Sequence, residues 1–347
     1  MKAPVLTRHP RRMELIGKRF LLVLVSPLLL VLASCGNGNL FNGVGGNGTG
    51  TLQGAETTAL QYIANGQYSQ AASTMAPYCP NNTCPDTTSA NILTDSYIAL
   101  GTASGSTYQA AASLLVASSS GGYVGTNQII ANLISLAQNG ATASQTFNAI
   151  AQVVPCIETN SCTSAGISDL LTSLEVQINS GCNLTVGCNG DLASMYALTA
   201  AIYILTNIQY QTGLTYLNGT WEICPSSGAG TSGCSTSLSG ISLSSPLPNN
   251  DCLLLFAGLT NASSVCTGTT LPANTPSIAI GVPIVAAQLG TTGANVTNSM
   301  NQLLNTILAC TSGTCPSTSS SSGPTSVPNG FNPTTALNSY LKSIQSF

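Results

Sequence analysis

Residues 52–77 read LQGAETTALQYIANGQYSQAASTMAP. Ala55, Ala59, Tyr62 and Ile63 recur three or four apart, the spacing of one helix face rather than the alternation of a strand. Gly66 breaks the pattern. A second helix is predicted over Tyr68–Ala76, ended by Pro77, whose ring and missing N–H cannot continue it. A short loop bounded by Cys79 and Cys84 follows. Asp86 or Thr87 is suited to cap the next helix. That helix is predicted to run to about Leu100, with Ile92, Leu93, Tyr97 and Ile98 on one face. Gly101 is predicted to break it, and Tyr108–Ala117 to form the next.

The units recur. Tyr62-x3-Gly66-x-Tyr68-x2-Ala71 is followed 35 residues on by Tyr97-x3-Gly101 and, after an insertion, by Tyr108-x2-Ala111. Over residues 52–118 this resembles tetratricopeptide-type repeats, in which a helix pair recurs about every 34 residues. A degenerate third unit is expected over Gln128–Val154, with Gly140 at its break. The family's tryptophan and leucine-glycine positions are unmatched, so a generic antiparallel helix hairpin stands as the alternative. The resemblance implies a right-handed stack of helix pairs whose concave face recruits another protein.

Beyond the repeats, helices are predicted at Ser164–Ile178 and Asp191–Ile208. The second carries Met195, Tyr196, Leu198, Ala201, Ile202, Ile204 and Leu205 around its circumference, as a buried central helix would. Leu214–Leu217 and Thr220–Ile223 flank Asn218-Gly219, the signature of a β-hairpin with a type I′ turn. A Ser, Gly and Pro-rich stretch covers 224–250. Further helices are expected near Asp251–Gly258, at Asn295–Ala309 and at Pro333–Ile344, while Thr275–Gly290 suits either strand or helix. The fold class is therefore mainly α, built of helical hairpins with one small β-hairpin near 214–223. The chain is expected to divide into a signal (1–34), a tether (35–51), a disulfide-rich helical domain (52–316), a Ser/Pro-rich linker (317–330) and a C-terminal helix (331–347).

The N-terminus sets the location. Lys2, Arg8, Arg11, Arg12, Lys18 and Arg19 precede an apolar run from Phe20 to Leu32 that is too short to span a bilayer, which takes about 20 residues. Leu32-Ala33-Ser34-Cys35 then resembles the lipobox of bacterial lipoproteins. That resemblance implies cleavage before Cys35, acylation of its sulfur and amine, and anchoring in the membrane. Gly36 in place of aspartate leans toward the outer membrane. Residues 36–51, with seven glycines and four asparagines, read as a tether reaching about 20–24 Å.

Twelve cysteines follow Cys35 as neighbours: Cys79/Cys84, Cys156/Cys162, Cys182/Cys188, Cys224/Cys234, Cys252/Cys266 and Cys310/Cys315. The even count, the exported compartment and the clustering predict six local disulfides that staple loops. Zinc is the competing reading, but the spacings lack C-x-x-C and histidine.

Cleavage before Cys35 removes the only histidine, all arginines and every lysine but Lys342, leaving nine carboxylates. With neither histidine nor arginine, a Ser-His or Cys-His nucleophile, an imidazole metal ligand and a bidentate phosphate clamp are excluded. One lysine cannot supply the electrostatic footing for nucleic acid. No cofactor, metal or catalytic residue is assigned. The nine carboxylates, Glu56, Asp86, Asp95, Glu158, Asp169, Glu175, Asp191, Glu222 and Asp251, form no recognisable motif. Asp191 and Asp251 are read as helix caps. Glu222 beside Trp221 could serve a sugar, but Trp221 reads better as hairpin core. So few charges suit a protein of an acidophile facing acid, where carboxylates are neutral and basic groups repel one another; a neutral-pH bacterium with a polar, low-charge secreted repertoire is the alternative. The leading expectation is a lipid-anchored scaffold with a protein partner. A carrier of an apolar small molecule and a carboxylate-based hydrolase of glycosides or cell wall are the alternatives.

Overall fold

The computed structural model describes residues 50–102, 148, 151, 154–182, 190–225, 231–244, 249–266, 271, 275–277, 291–311, 314–316, 320 and 322–344. The expected signal, Cys35, most of the expected tether, the helix expected at 108–117, most of the expected third unit and residues 278–290 lie outside them. The chain divides into two compact units, Met1–Gly54 and Ala55–Phe347.

The described chain is mainly helical. Helix α1, Leu52–Ala64, buries Ala55, Ala59 and Ile63, each four residues after the last. It ends at Gly66, which takes φ +71°, a value that favours glycine. There the Gln67 amide donates back to the Tyr62 carbonyl (2.8 Å), a closing bond of the Schellman type. Helix α2, Tyr68–Met75, buries Tyr68, Ala71, Ala72 and Met75. Pro77 then forces a tighter 3-10 turn, Ala76–Tyr78. Helix α3, Thr87–Thr102, opens on Asp86, whose Oδ1 accepts from the Ser89 amide (2.8 Å). Of the two expected caps, Asp86 is the one used.

Gly101 corrects the expected break: it lies inside α3. It faces Gly166 of helix α5, Ser164–Asn179, and a Cβ at Gly101 would come 2.6 Å from the Gly166 carbonyl oxygen. The two glycines let the backbones approach where larger residues would hold them apart. Further along the same seam the Ser173 hydroxyl donates to the Thr94 carbonyl (3.3 Å). The pairings 101/166 and 94/173 run in opposite senses, so α3 and α5 are antiparallel. A one-turn helix α4, Pro155–Glu158, precedes α5, and the Thr163 hydroxyl caps α5 by accepting from the Gly166 amide.

Helix α6, Gly190–Thr212, is the centre: every residue from Thr199 to Gln209 is buried. It packs against α3, α4 and α5 and the first strand. It runs past the expected Ile208 and stops at Gly213, φ +70°, where a Cβ would collide with the Cys224 carbonyl. Strands β1, Leu214–Leu217, and β2, Thr220–Ile223, pair antiparallel, from Leu214 opposite Ile223 to Leu217 opposite Thr220. Asn218 and Gly219 both take positive φ, as a type I′ turn requires.

Helix α7, Asn249–Phe256, contacts α6 and is followed by the short α8, Ala262–Val265. Helix α9, Thr291–Ala309, packs on α10, Pro333–Ser343, which Asn332 caps through the Thr335 amide. Of the stretch expected as a linker between them, the described residues are docked. Thr260 exchanges backbone hydrogen bonds with Thr325 and Val327, Val327 is buried, and the Asn305 amide donates to the Ser320 and Ser322 carbonyls. The terminal helix likewise belongs to the second unit, burying Ala336, Leu337, Tyr340 and Leu341.

Candidate functional site

Disulfides fix the loops that carry other polar groups. Cys79–Cys84, Cys156–Cys162, Cys224–Cys234, Cys252–Cys266 and Cys310–Cys315 are bonded. Cys182 is also disulfide-bonded. Its expected partner, Cys188, lies outside the described residues. Each of the five bridges closes a local loop of 5 to 14 residues' separation and limits the unfolded chain rather than tying distant parts together.

The 156–162 loop shows what such a staple positions. It holds Asn160 at φ +53° with its side chain buried. Asn160 Oδ1 accepts from the Gln209 amide of α6 (2.5 Å) and the Thr215 hydroxyl of β1 (3.4 Å). One neutral side chain thus joins a disulfide loop, the central helix and the hairpin.

The carboxylates divide by environment. Glu56 of α1 accepts from the Ser89 hydroxyl (2.8 Å), while Asp86 takes the Ser89 amide. Two acids 30 residues apart therefore meet at one serine, at the positive end of α3, where negative charge is favoured. Glu175 accepts from the Asn82 amide (3.0 Å), tying α5 to the first disulfide loop. Glu158 is exposed, and Glu222 is half-buried on β2, opposite Thr215. Asp191 lies in the first turn of α6, with its side chain outside the described residues.

Three acids have poorly hydrated carboxyls. Asp95, on α3, keeps part of its surface in contact with solvent, yet desolvation of its carboxyl pushes it up to about 7. Burial also raises Asp169 on α5. Nearby Tyr97 is raised first by burial and then by the Asp169 charge. Asp251 is wholly buried and lies within the first turn of α7, which corrects its reading as a cap. Its Oδ2 accepts from the Asn207 amide of α6 (2.7 Å), and its Oδ1 has no hydrogen-bond partner among the described residues. Burial raises this carboxyl well above the usual range, and the Asn207 bond opposes the shift.

A neutral polar seam runs between α3, α5 and α6. The Gln177 amide donates to the Ser173 carbonyl and hydroxyl and to the Thr199 hydroxyl (3.2–3.3 Å). Asn91 Oδ1, Thr94 Oγ1 and Gln177 Oε1 are buried without a partner among the described residues. The antiparallel register sets Asn91 across from Gln177. These groups were legible as polar residues on apolar faces, but their convergence depends on the helix pairing.

Trp221 is hairpin core. It is buried, packs on Tyr216 across the strands (ring centroids 4.9 Å apart) and donates from Nε1 to Asn148 Oδ1 (2.6 Å). Its ring is therefore closed to stacking on a sugar. Among the described residues, no cluster of three His, Cys, Asp or Glu could hold a metal, and no helix is long and apolar enough to cross a membrane. Among the described residues, the large exposed apolar side chains are Leu60 on α1 and Tyr210 on α6. Comparison of the chain with family models, curated proteins and solved structures gives no match.

Proposed function

We propose that the chain is a lipid-anchored protein of the cell envelope, held through Cys35 and carrying a disulfide-stapled helical scaffold that binds another protein in an acid-facing compartment. The reading rests above all on serial packing: α2 lies on α3, α3 on α5 and α5 on α6. Helices stacked in this way present their outer edges as an extended surface. The acids support it in a second way. The described hydrogen bonds of Glu56, Asp86, Glu175 and Asp251 all go to neutral groups that cap or join elements. The raised carboxyls of Asp95, Asp169 and Asp251 fit a fold that works with its acids protonated.

Two measurements test the two halves. The full chain and Cys35→Ala are expressed in a bacterial host, separated by detergent-phase partition and weighed intact. The parent is expected to carry acyl chains and partition with detergent, and the variant to do neither; an unacylated parent ends the anchor reading. A photo-crosslinking residue at Leu60 or Tyr210 in native membranes is then expected to trap one protein saturably. Trapping of no protein, or of lipid instead, ends the scaffold reading.

A further inference from the structure

The carboxyl of Asp251 is built into a place where it cannot hold a charge comfortably. It is fully buried, one oxygen is served by a single neutral amide from Asn207, and the other has no donor among the described residues. A carboxylate wants several donors, whereas a neutral acid needs only this one acceptor contact and a place for its own proton. Tyr203 of α6 is the titratable group that faces it, and Asn250 donates to that phenol rather than to the acid. On the other sides of α7, α8 and the chain at 257–261 and 322–331 contain no Asp, Glu, Lys, Arg, His or Tyr. Lys342, the one lysine after the signal, is exposed on α10. No cation among the described residues is placed to compensate a charge on Asp251.

Asp251 also sits at a junction. With Asn250, which bonds the Tyr203 phenol, it links α7 to α6 through polar groups, beside the buried Leu254, Leu255 and Phe256. The Cys252–Cys266 bridge closes α7 and α8 into one covalent loop, held at its far side by the Thr260 backbone bonds to Thr325 and Val327, so the α7 end is the part that lifts from α6 without unravelling.

We propose that Asp251 is a proton-operated latch: as the neutral acid it holds the 249–266 loop on α6, and loss of its proton releases the loop. The balance is one proton. The lifted state exposes Asp251 to water, where it ionises in the ordinary carboxylate range near 4, while the seated state keeps the proton. Above that range lifting and proton release are coupled, and the lifted fraction rises about tenfold per pH unit until the seated acid itself ionises. The loop is shut in acid and loosens toward neutrality, which extends the acid-facing reading without depending on the anchor or on a partner.

The test is hydrogen exchange followed by mass spectrometry on the full, oxidised chain between pH 4 and pH 8, with rates corrected for intrinsic base catalysis. In the parent, protection of residues 249–266 is expected to fall by up to tenfold per pH unit. In Asp251→Asn, which keeps the shape and the hydrogen bonding of a neutral acid, it is expected to be flat. Protection in the parent that does not change with pH overturns the latch, and so does an unchanged slope in the variant. If Asp251→Asn does not fold, Asp251→Ser, which likewise carries no ionisable group, takes its place in the same comparison.

Discussion

A folded protein usually weakens in acid, because carboxylates that are paired in the native state must be protonated. Here the opposite is expected, and Asp95 sets the scale. Its carboxyl is pushed up from 3.8 to about 7 by desolvation alone. The fold tolerates the neutral form, so this contribution is whole below about pH 4. It is lost as the pH climbs toward 7, where the unfolded chain ionises freely and the folded one does not. At about 1.4 kcal/mol per pKa unit the difference is about 4 kcal/mol, a ceiling because part of Asp95 touches solvent. Against a typical total of about 5–15 kcal/mol this is large. Asp169 and Asp251 act in the same direction. The assay is urea unfolding of the oxidised protein, followed by circular dichroism at pH 3.5, 5 and 7, for the parent and Asp95→Asn. The parent is expected to be most stable at pH 3.5. The variant should match it there and exceed it at pH 7 by up to about 4 kcal/mol. A parent that loses stability on acidification, or a variant no more stable than the parent at pH 7, refutes the reasoning.

Two further outcomes follow from packing and capping. Gly101→Ala would place a methyl 2.5 Å from Leu170 Cγ and 2.6 Å from the Gly166 carbonyl, so the usual helix gain of about 1 kcal/mol is outweighed by strain and a net loss of roughly 1–2 kcal/mol is expected in urea unfolding. Gly240→Ala, with open space around it, is the control and should cost little. Asp86→Ala removes the α3 cap and should cost about 1 kcal/mol, with exchange protection lost first in residues 87–90.

Local signals in the chain are most legible where one residue's own geometry is decisive. Asn218-Gly219 names its turn because two consecutive positive φ angles suit few other pairs, and the hairpin lies where that turn puts it. Gly66 ends a helix for the same reason. Gly101 shows the limit. The residue type is identical and the repeat pattern set it beside Gly66, yet it stays helical because its missing Cβ is used by a neighbouring helix 65 residues away. The candidate carboxylates divide in the same manner. Asp86 caps its own helix, a contact three residues long, and was expected to. Asp251 was read as a cap too, but the helix begins before it and α6 covers it, which no local pattern records.

The sequence by itself determined the helical class, the hairpin, the local pairing of cysteines and the scarcity of charge, because each depends on spacing, turn chemistry or composition within a few residues. It also carries the lipobox resemblance at Cys35. Only the tertiary structure decided which polar groups lose their water. Asp95 and Asp251 are ordinary acids in the chain and neutral-preferring acids in the fold, since desolvation is a property of everything packed around a carboxyl and not of the residue itself.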